Sequence, residues 1–489
     1  MGLSIVVLAA GEGKRMKSAT PKVLHRAAGR SLLGHVLAAV APLEAERTVV
    51  VTSNRLDEIS AALEKEGCDS RVEFVVQDPP RGTADATGVA LGELQGVTGP
   101  LLVIPGDAPL LDVHSLGALV LEHEARSAAA SIMSARAKDP TGYGRVIRDA
   151  DGRVLKVVED RDATELERRV DEINTSVYVF DLERLRDALG KVDDANDQGE
   201  FYLTDVIGLF HDEGHVVAAF RSKESDVAGV NSRSQLAVAA AELRRRQCER
   251  LMDDGVTIVD PATTYVDATA TIEADVVIHP FSFIEGTTVV RSGAEIGPQV
   301  RLVDSEVEEG AEVSFAVVVG SSLGPGSSVG PFASLRPGTR LERGAKLGTF
   351  VEAKKTRLGE GSKANHLSYL GDAELGEGVN VGAGTITTNW DGRNKHRTVI
   401  DDEAYIGSDT MLVAPVRVGK RAATGAGAVI REDVPDDALA VGVPARNIEG
   451  KGNRMKPRDR LGETAEEDRD RLGDTAEPKG RANPDPGGE

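Results

Sequence analysis

An aliphatic side chain recurs every sixth residue through much of the second half of this chain. The positions are Val266, Ile272, Ile278, Ile284, Val290, Ile296 and Leu302. The register slips and resumes at Val307, Val313 and Val319, and again at Leu323, Val329, Leu335, Leu341 and Leu347. A last run reads Ile406, Leu412, Val418, Thr424 and Ile430. Glycine often follows the stop, as in Ile296-Gly297, Leu323-Gly324 and Val418-Gly419. A period of six matches neither a helix at about 3.6 nor a strand at about 2. It predicts a parallel β-helix, in which each hexad is one short strand plus a turn with one aliphatic side chain pointing inward. No hexad can bury its own apolar face, so stacked coils must bury it for one another. The period alone sets neither handedness nor assembly.

The rest of the composition narrows the class. The 489 residues are enough for two or three domains, and no apolar run approaches a membrane span. The N-terminus has no basic region before its apolar run, which argues against a secretory signal. Cys68 and Cys248 are far apart and match no metal spacing, as expected in a reducing cytoplasm. The net charge of −21 argues against nucleic acid as a partner, so an anionic ligand must be held by local basic groups. Aromatics are only 3%, which fits a core built largely of aliphatic hexads.

Before the repeats, β-rich runs (5–10, 48–52, 73–77 and 101–104) alternate with amphipathic helical ones (32–40, 56–66, 84–94 and 115–126). That alternation predicts a mostly parallel sheet covered on both faces, with ligands beyond the carboxyl ends of its strands. The first loop there is Leu8-Ala9-Ala10-Gly11-Glu12-Gly13-Lys14-Arg15-Met16. It is neither a dinucleotide fingerprint nor a Walker loop. Its glycines let the backbone approach a ligand closely, and Lys14, Arg15 and Lys22 add positive charge.

This loop, followed by Pro21-Lys22-Val23-Leu24, resembles the sugar-nucleotide pyrophosphorylases. The resemblance implies that Leu8, Ala9, Ala10 and Gly11 wrap a nucleoside triphosphate, with Arg15 and Lys22 catalytic at its phosphates. It implies that Gln77, Gly82 and Thr83 read uracil. The plainer reading makes Thr83 a helix N-cap. Asp107 ends a buried strand, where a hard cation beside a triphosphate belongs. By resemblance Asp107 and Asn231 are ligands of Mg2+. Gly144, Glu159 and Asn174 stand where the family holds its N-acetylhexosamine, and the 199–205 phrase is expected to be structural. The stretch 233–252 is helical by period, and its run Arg244-Arg245-Arg246 reads as a solvated face.

Within the repeats, interest lies where the period breaks. Arg336 falls on a turn, Lys354-Lys355 in a slipped register, and His366 three residues before Tyr369. After Asn380 and Ala383, residues 385–397 form an insertion carrying Asn389, the sole tryptophan Trp390, and Lys395. An insertion that breaks a stack leaves it as a loop, and such loops usually carry function. Basic groups gathered in an acidic protein suit a phosphorylated substrate, with histidine as the side chain whose ordinary pKa suits a base near neutrality.

The repeat pattern resembles the hexapeptide acyltransferases, whose left-handed β-helices form homotrimers. Residues 361–372 resemble the acetyltransferase half of the bifunctional UDP-N-acetylglucosamine pyrophosphorylase/glucosamine-1-phosphate acetyltransferases, and the likeness to that family runs from Leu8 to about Val434. It implies a fold of class α/β plus β: a Rossmann-like nucleotidyltransferase domain (1–231), a linker helix (232–253), a left-handed parallel β-helix (254–447) and a charged tail (448–489). From 451 to 489 the tail carries nine basic and ten acidic residues, and its composition predicts disorder.

The implied chemistry is two transfers, from acetyl-CoA to glucosamine 1-phosphate and then from UTP to the acetylated sugar phosphate, feeding peptidoglycan synthesis. His366 is the implied base. Arg336, Lys354 and Lys395 would hold the sugar phosphate, and Tyr369 and Asn380 the sugar. Ala383, Asn389, Trp390, Ser408 and Ala426 would line the acetyl-CoA cleft. Trp390 stands where relatives have tyrosine. The family's late basic residue for the CoA phosphates does not align across 441–446, which leaves Arg446 or Lys451 for that role. Two other readings remain open: a single-activity sugar-1-phosphate nucleotidyltransferase whose β-helix is structural or regulatory, and a non-catalytic scaffold.

Overall fold

The computed structural model describes residues 2–11, 13–68 and 71–451. The expectation of a disordered tail falls, beyond Lys451, outside them. The chain divides into two compact units, the first ending at Gly338 and the second beginning at Thr339.

The first unit contains the α/β sheet. Its strands lie in the order Val217–Ser222, Ala130–Arg136, Glu172–Asp181, Pro100–Pro105, Ser4–Ala9, Arg47–Thr52 and Val72–Val76. The last four run parallel to one another, and Glu172–Asp181 runs antiparallel to both its neighbours. Ser4–Ala9 sits between the strand that precedes Asp107 and Arg47–Thr52. Chain order reverses there, which opens a crevice at the carboxyl ends. Apolar clusters cover both faces, one around Val6, Val103 and Phe180 and the other around Val7, Ile104 and Leu33. Four of the expected strands and four of the expected helices appear within a residue or two of their expected ends.

The helix Arg233–Asp253 leads into the repeats. Its arginines are a correction, because they are not simply a solvated face. The Arg244 guanidinium lies 4.4 Å from the centre of the Tyr265 ring. Arg246 donates to the Leu110 carbonyl oxygen at 2.8 Å and pairs with Asp226 and Glu242. Only Arg245 is confined to its own helix, pairing with Glu242 and Glu249.

From Thr257 the chain winds into short parallel strands, three per coil, forming three ladders in the first unit and three in the second. This is a left-handed parallel β-helix. The hexad residues stack in register, Val266 on Ile284 on Leu302 and Ile272 on Val290 on Val307, and the interior residues are almost entirely buried. One position of the sequence reading shifts. Val318, not Val319, is the inward residue; it is fully buried and pairs with Leu302. A coil shortened by one residue moves the inward position by one, because strand side chains alternate faces. Thr424 also points inward, where its hydroxyl meets that of Thr410 at 2.9 Å and accepts from the Gly407 amide. Among the described residues no helix is long and apolar enough to cross a membrane.

Candidate functional sites

In the first unit the loop after Ser4–Ala9 crosses the carboxyl end of the sheet. The Leu8 carbonyl oxygen accepts from Gly106 N at 2.8 Å, which ties this loop to the one that carries Asp107. Lys22 reaches into the same place. Its ammonium pairs with the Asp107 carboxylate and donates to Asn231 Oδ1 at 2.6 Å. Both charged side chains are mostly buried, 12% and 15% exposed. Asn231 is held in turn by its backbone, whose N–H donates to Gln235 Oε1 at 2.8 Å. Arg15 is exposed nearby. The Tyr143 hydroxyl, pushed up mainly by burial and further by Glu224 and Asp107, feels Arg15 in the opposite direction.

The two oxygen donors suit Mg2+. A carboxylate and an amide oxygen converge on one point, and a cation already stands there in the form of the Lys22 ammonium. Among the described residues no cluster of three or more His, Cys, Asp or Glu could hold a metal. The rest of a coordination shell at Asp107 and Asn231 would therefore come from phosphate and water, the usual arrangement for this ion.

Gln77 is buried, and its Nε2 donates to the Gly82 carbonyl oxygen at 3.0 Å and to Asp85 at 2.7 Å. The helix Thr83–Glu93 is capped by Gly82, not by Thr83. Gly82 takes a φ of 115°, and a Cβ there would run into the Phe201 backbone. Thr83 begins the helix, and its hydroxyl accepts from Leu203 N at 3.0 Å. The 199–205 phrase is thus the clamp on this corner: Phe201 N donates to the Arg81 oxygen, and Phe201 O accepts from Ala84 N.

Gly144, Glu159 and Asn174 come together as expected. Asn174 N donates to the Gly144 carbonyl oxygen at 2.8 Å, and a Cβ on Gly144 would stand 3.4 Å from Glu159 Oε1 and from Asn174 Cβ. The strand Glu172–Asp181 bulges between Asn174 and Tyr178, and this turns Asn174 out of the regular pleat. Two partners gave no sequence signal. The Tyr178 hydroxyl receives Asn174 Nδ2 at 2.7 Å, and Thr204 Oγ1 donates to Glu159 at 3.3 Å. Glu159 borders a cavity of about 430 Å³ lined also by Tyr202 and Thr204. Burial raises its carboxyl above the usual range, against the pull of Thr204.

In the second unit one corner of the β-helix gathers four of the expected residues. Gly384 N donates to the Leu367 carbonyl oxygen at 2.9 Å, Asp409 N to Ala383 at 2.7 Å, and Gly427 N to Ser408 at 2.8 Å. His366, Ala383, Ser408 and Ala426 therefore stand on successive coils at the same corner. His366 is exposed there. Asn380 lies on the ladder before this corner, paired with Lys363 and Tyr405.

Tyr369 lies just past the corner. The next ladder sets Glu352 beside Tyr369 and Lys354 beside Gly371. A Cβ on Gly371 would fall 2.5 Å from the Tyr369 hydroxyl and 2.7 Å from Asn389 Nδ2, so only glycine lets both side chains cross this point. The insertion leaves the stack as a small hairpin, with Trp390 bridged to Lys395 and half exposed. Asp391 ties its end: Asn394 and Arg393 amides and the His396 ring hold its carboxyl down to about 2. Arg336 closes a strand of the first unit. Arg446 is exposed on the terminal hairpin of Leu439–Gly442 and Ala445–Ile448.

A doubly covered sheet with a glycine-rich loop and a buried Lys22–Asp107–Asn231 cluster at its carboxyl ends, and a hexapeptide β-helix with a histidine at one corner, define a nucleotidyltransferase and an acyltransferase in one chain. The family model for a MobA-like NTP transferase domain matches residues 5–173. The chain is 50% identical to the bifunctional protein GlmU of Thermobifida fusca, with 95% of this chain and 96% of that protein covered. It is 48% identical to GlmU of Streptomyces coelicolor and 44% identical to that of Corynebacterium glutamicum, with the same coverage. The chain belongs to the GlmU family, the bifunctional uridylyltransferase/acetyltransferases of UDP-N-acetylglucosamine synthesis, which use nucleotide and acetyl-CoA substrates.

Proposed function

We propose that the two activities divide between the two clusters, with the nucleotidyltransferase domain at 1–231, the linker helix at 232–253 and the acetyltransferase at 254–447. The observation that carries the first assignment is the Lys22 ammonium lodged against Asp107 and Asn231. The protein fills with its own cation the point where a triphosphate brings Mg2+. The bound ion would neutralise phosphate charge there. Lys22 and Arg15 would then turn to the phosphates, where a phosphate oxygen of N-acetylglucosamine 1-phosphate attacks the α-phosphorus of UTP. The bond to the β-phosphate breaks and pyrophosphate leaves. Such a step needs positioning and charge more than covalent help. Leu8 to Gly11, Gln77, Gly82 and Thr83 hold the nucleotide, and Gly144, Glu159 and Asn174 hold the sugar.

In the second site the amine of glucosamine 1-phosphate attacks the thioester carbonyl carbon, the carbon–sulfur bond breaks, and the proton leaves through His366 toward the departing thiolate. Lys354, Lys395 and Arg336 hold the phosphate, Tyr369 and Asn380 the sugar. Ala383, Asn389, Trp390, Ser408 and Ala426 line the acetyl-CoA cleft, with Arg446 or Lys451 at its nucleotide end. We assign a homotrimer in the cytoplasm. The trimer is supported by exposed aromatic side chains, Phe281 and Phe332 in the first unit and Phe350 in the second, which a neighbouring copy would cover.

Chelating divalent cations with excess EDTA tests the division. Pyrophosphate release from UTP is expected to vanish and thiol release from acetyl-CoA to persist. Pyrophosphate release that survives chelation overturns the assignment of Asp107 and Asn231.

Glu159 gives a pH prediction. Its folded pKa is raised, so folding disfavours its ionised form. The stability tied to the neutral form is complete below the ordinary value of 4.5 and is lost as pH rises through the raised one. Glu159→Gln is expected to remove that loss, which thermal unfolding from about pH 4 to about pH 8 will show. The same variant should raise KM for N-acetylglucosamine 1-phosphate roughly tenfold, the effect of one hydrogen bond to a charged group.

A further inference from the structure

We propose that Asp372 is a positioning residue of acetyl transfer. It fixes the Asn389 amide so that Oδ1 is the atom presented to the substrate amine. The inference rests on the reading of Asn389 as a substrate contact.

Asn389 is buried, 7% exposed, at the root of the inserted hairpin. Its Nδ2 donates to Asp372 Oδ2 at 2.5 Å. An ionised carboxylate can only accept, so the amide must turn its NH2 toward Asp372. That leaves Oδ1, for which no protein partner occurs among the described residues, as the group's free acceptor. An amine about to attack a thioester needs an acceptor that orients its N–H and leaves its lone pair toward the carbonyl carbon. A flipped amide would offer a donor instead.

Asp372 is also tied to the rest of the site. Its N–H donates to the Lys354 carbonyl oxygen at 2.9 Å, and its own carbonyl oxygen accepts from Thr398 N at 3.2 Å, where the chain re-enters the stack after the insertion. Gly371, one residue back, is the point crossed by both Tyr369 and Asn389. One residue thus joins the strand of Lys354, the amide of Asn389 and the far end of the hairpin. Misplacing a group by about an ångström at such a point can reduce a rate roughly a hundredfold.

The test is a swap. Asp372→Asn lets the facing amide take either orientation, and is expected to lower kcat for thiol release roughly ten- to a hundredfold, with pyrophosphate release unchanged. Asn389→Asp sets two carboxylates against each other and should also lose thiol release. In the double variant Asp372→Asn/Asn389→Asp, the new amide donates to the new carboxylate, which still keeps an acceptor oxygen free. Thiol release is expected to recover at least tenfold over either single variant. A merely structural role for Asp372 predicts no such recovery. Full activity in Asp372→Asn, or a double variant no better than the singles, overturns the proposal. Asn389→Ala separates the two claims. If it retains thiol release, the reading of Asn389 itself fails; if it loses it while Asp372→Asn does not, only the role of Asp372 fails.

Discussion

His366→Ala is expected to lower thiol release from acetyl-CoA by two to four orders of magnitude, the usual contribution of a positioned acid–base group, and to leave pyrophosphate release unchanged. The reason lies in the substrate. The amine of glucosamine 1-phosphate is largely protonated near neutrality, and an ammonium has no lone pair with which to attack. A base must take its proton on the way to the tetrahedral intermediate. His366 stands at the corner shared with Ala383, Ser408 and Ala426, exposed where a substrate can reach it. Residual activity in the variant should climb with pH, since solvent deprotonates more of the amine and replaces part of what the side chain did. Pyrophosphate release serves as the control for folding, because the cluster around Lys22 belongs to the other unit. If wild type releases pyrophosphate but no thiol, the β-helix is structural or regulatory. If His366→Ala retains full thiol release, the base is another group.

The reach of the sequence can be argued residue by residue. The hexad period was legible because every coil repeats the same demand, one aliphatic side chain into a narrow core. It failed at Val319 because a coil one residue short changes no composition, only which of two adjacent valines faces inward. The Lys22, Asp107 and Asn231 cluster was legible only through resemblance, since its members lie far apart in the chain. The plainer reading of Thr83 as a helix cap does not hold, for a physical reason. Threonine is a good cap in general, but here the close approach of Phe201 demands a glycine just before the helix, and that glycine takes the cap position. The clamp of Phe201, the bonds of Thr204 and Tyr178, and the tie from Asp372 to Asn389 left no local pattern. Each joins residues whose neighbourhood exists only after the strands have stacked. The arginines at 244 and 246 show the same limit. Helical spacing placed them on a surface, and the partners that cover that surface come from elsewhere in the fold.

Asp107→Ala is expected to lower pyrophosphate release by about three orders of magnitude, the scale on which removing a preorganised charge-stabilising group acts, and to spare thiol release. Two losses coincide. The carboxylate that would hold the cation is gone, and Lys22, only 12% exposed, is left to donate to Asn231 Oδ1. Asp107→Asn retains the shape without the charge, so it separates chemistry from packing. Its residual activity should be partly restored by raised Mg2+, because a weakened site fills again at higher ion concentration. Lys22→Ala should be comparably damaging. The double variant Lys22→Ala/Asp107→Ala should then be scarcely worse than either single, because groups that act as a unit do not contribute additively. Additive losses would mean that the contact between Lys22 and Asp107 is a resting ion pair with no shared part in the transfer. In that case the cation point would have to be sought at Asp107 and Asn231 alone, with Lys22 free to serve the phosphates from the start.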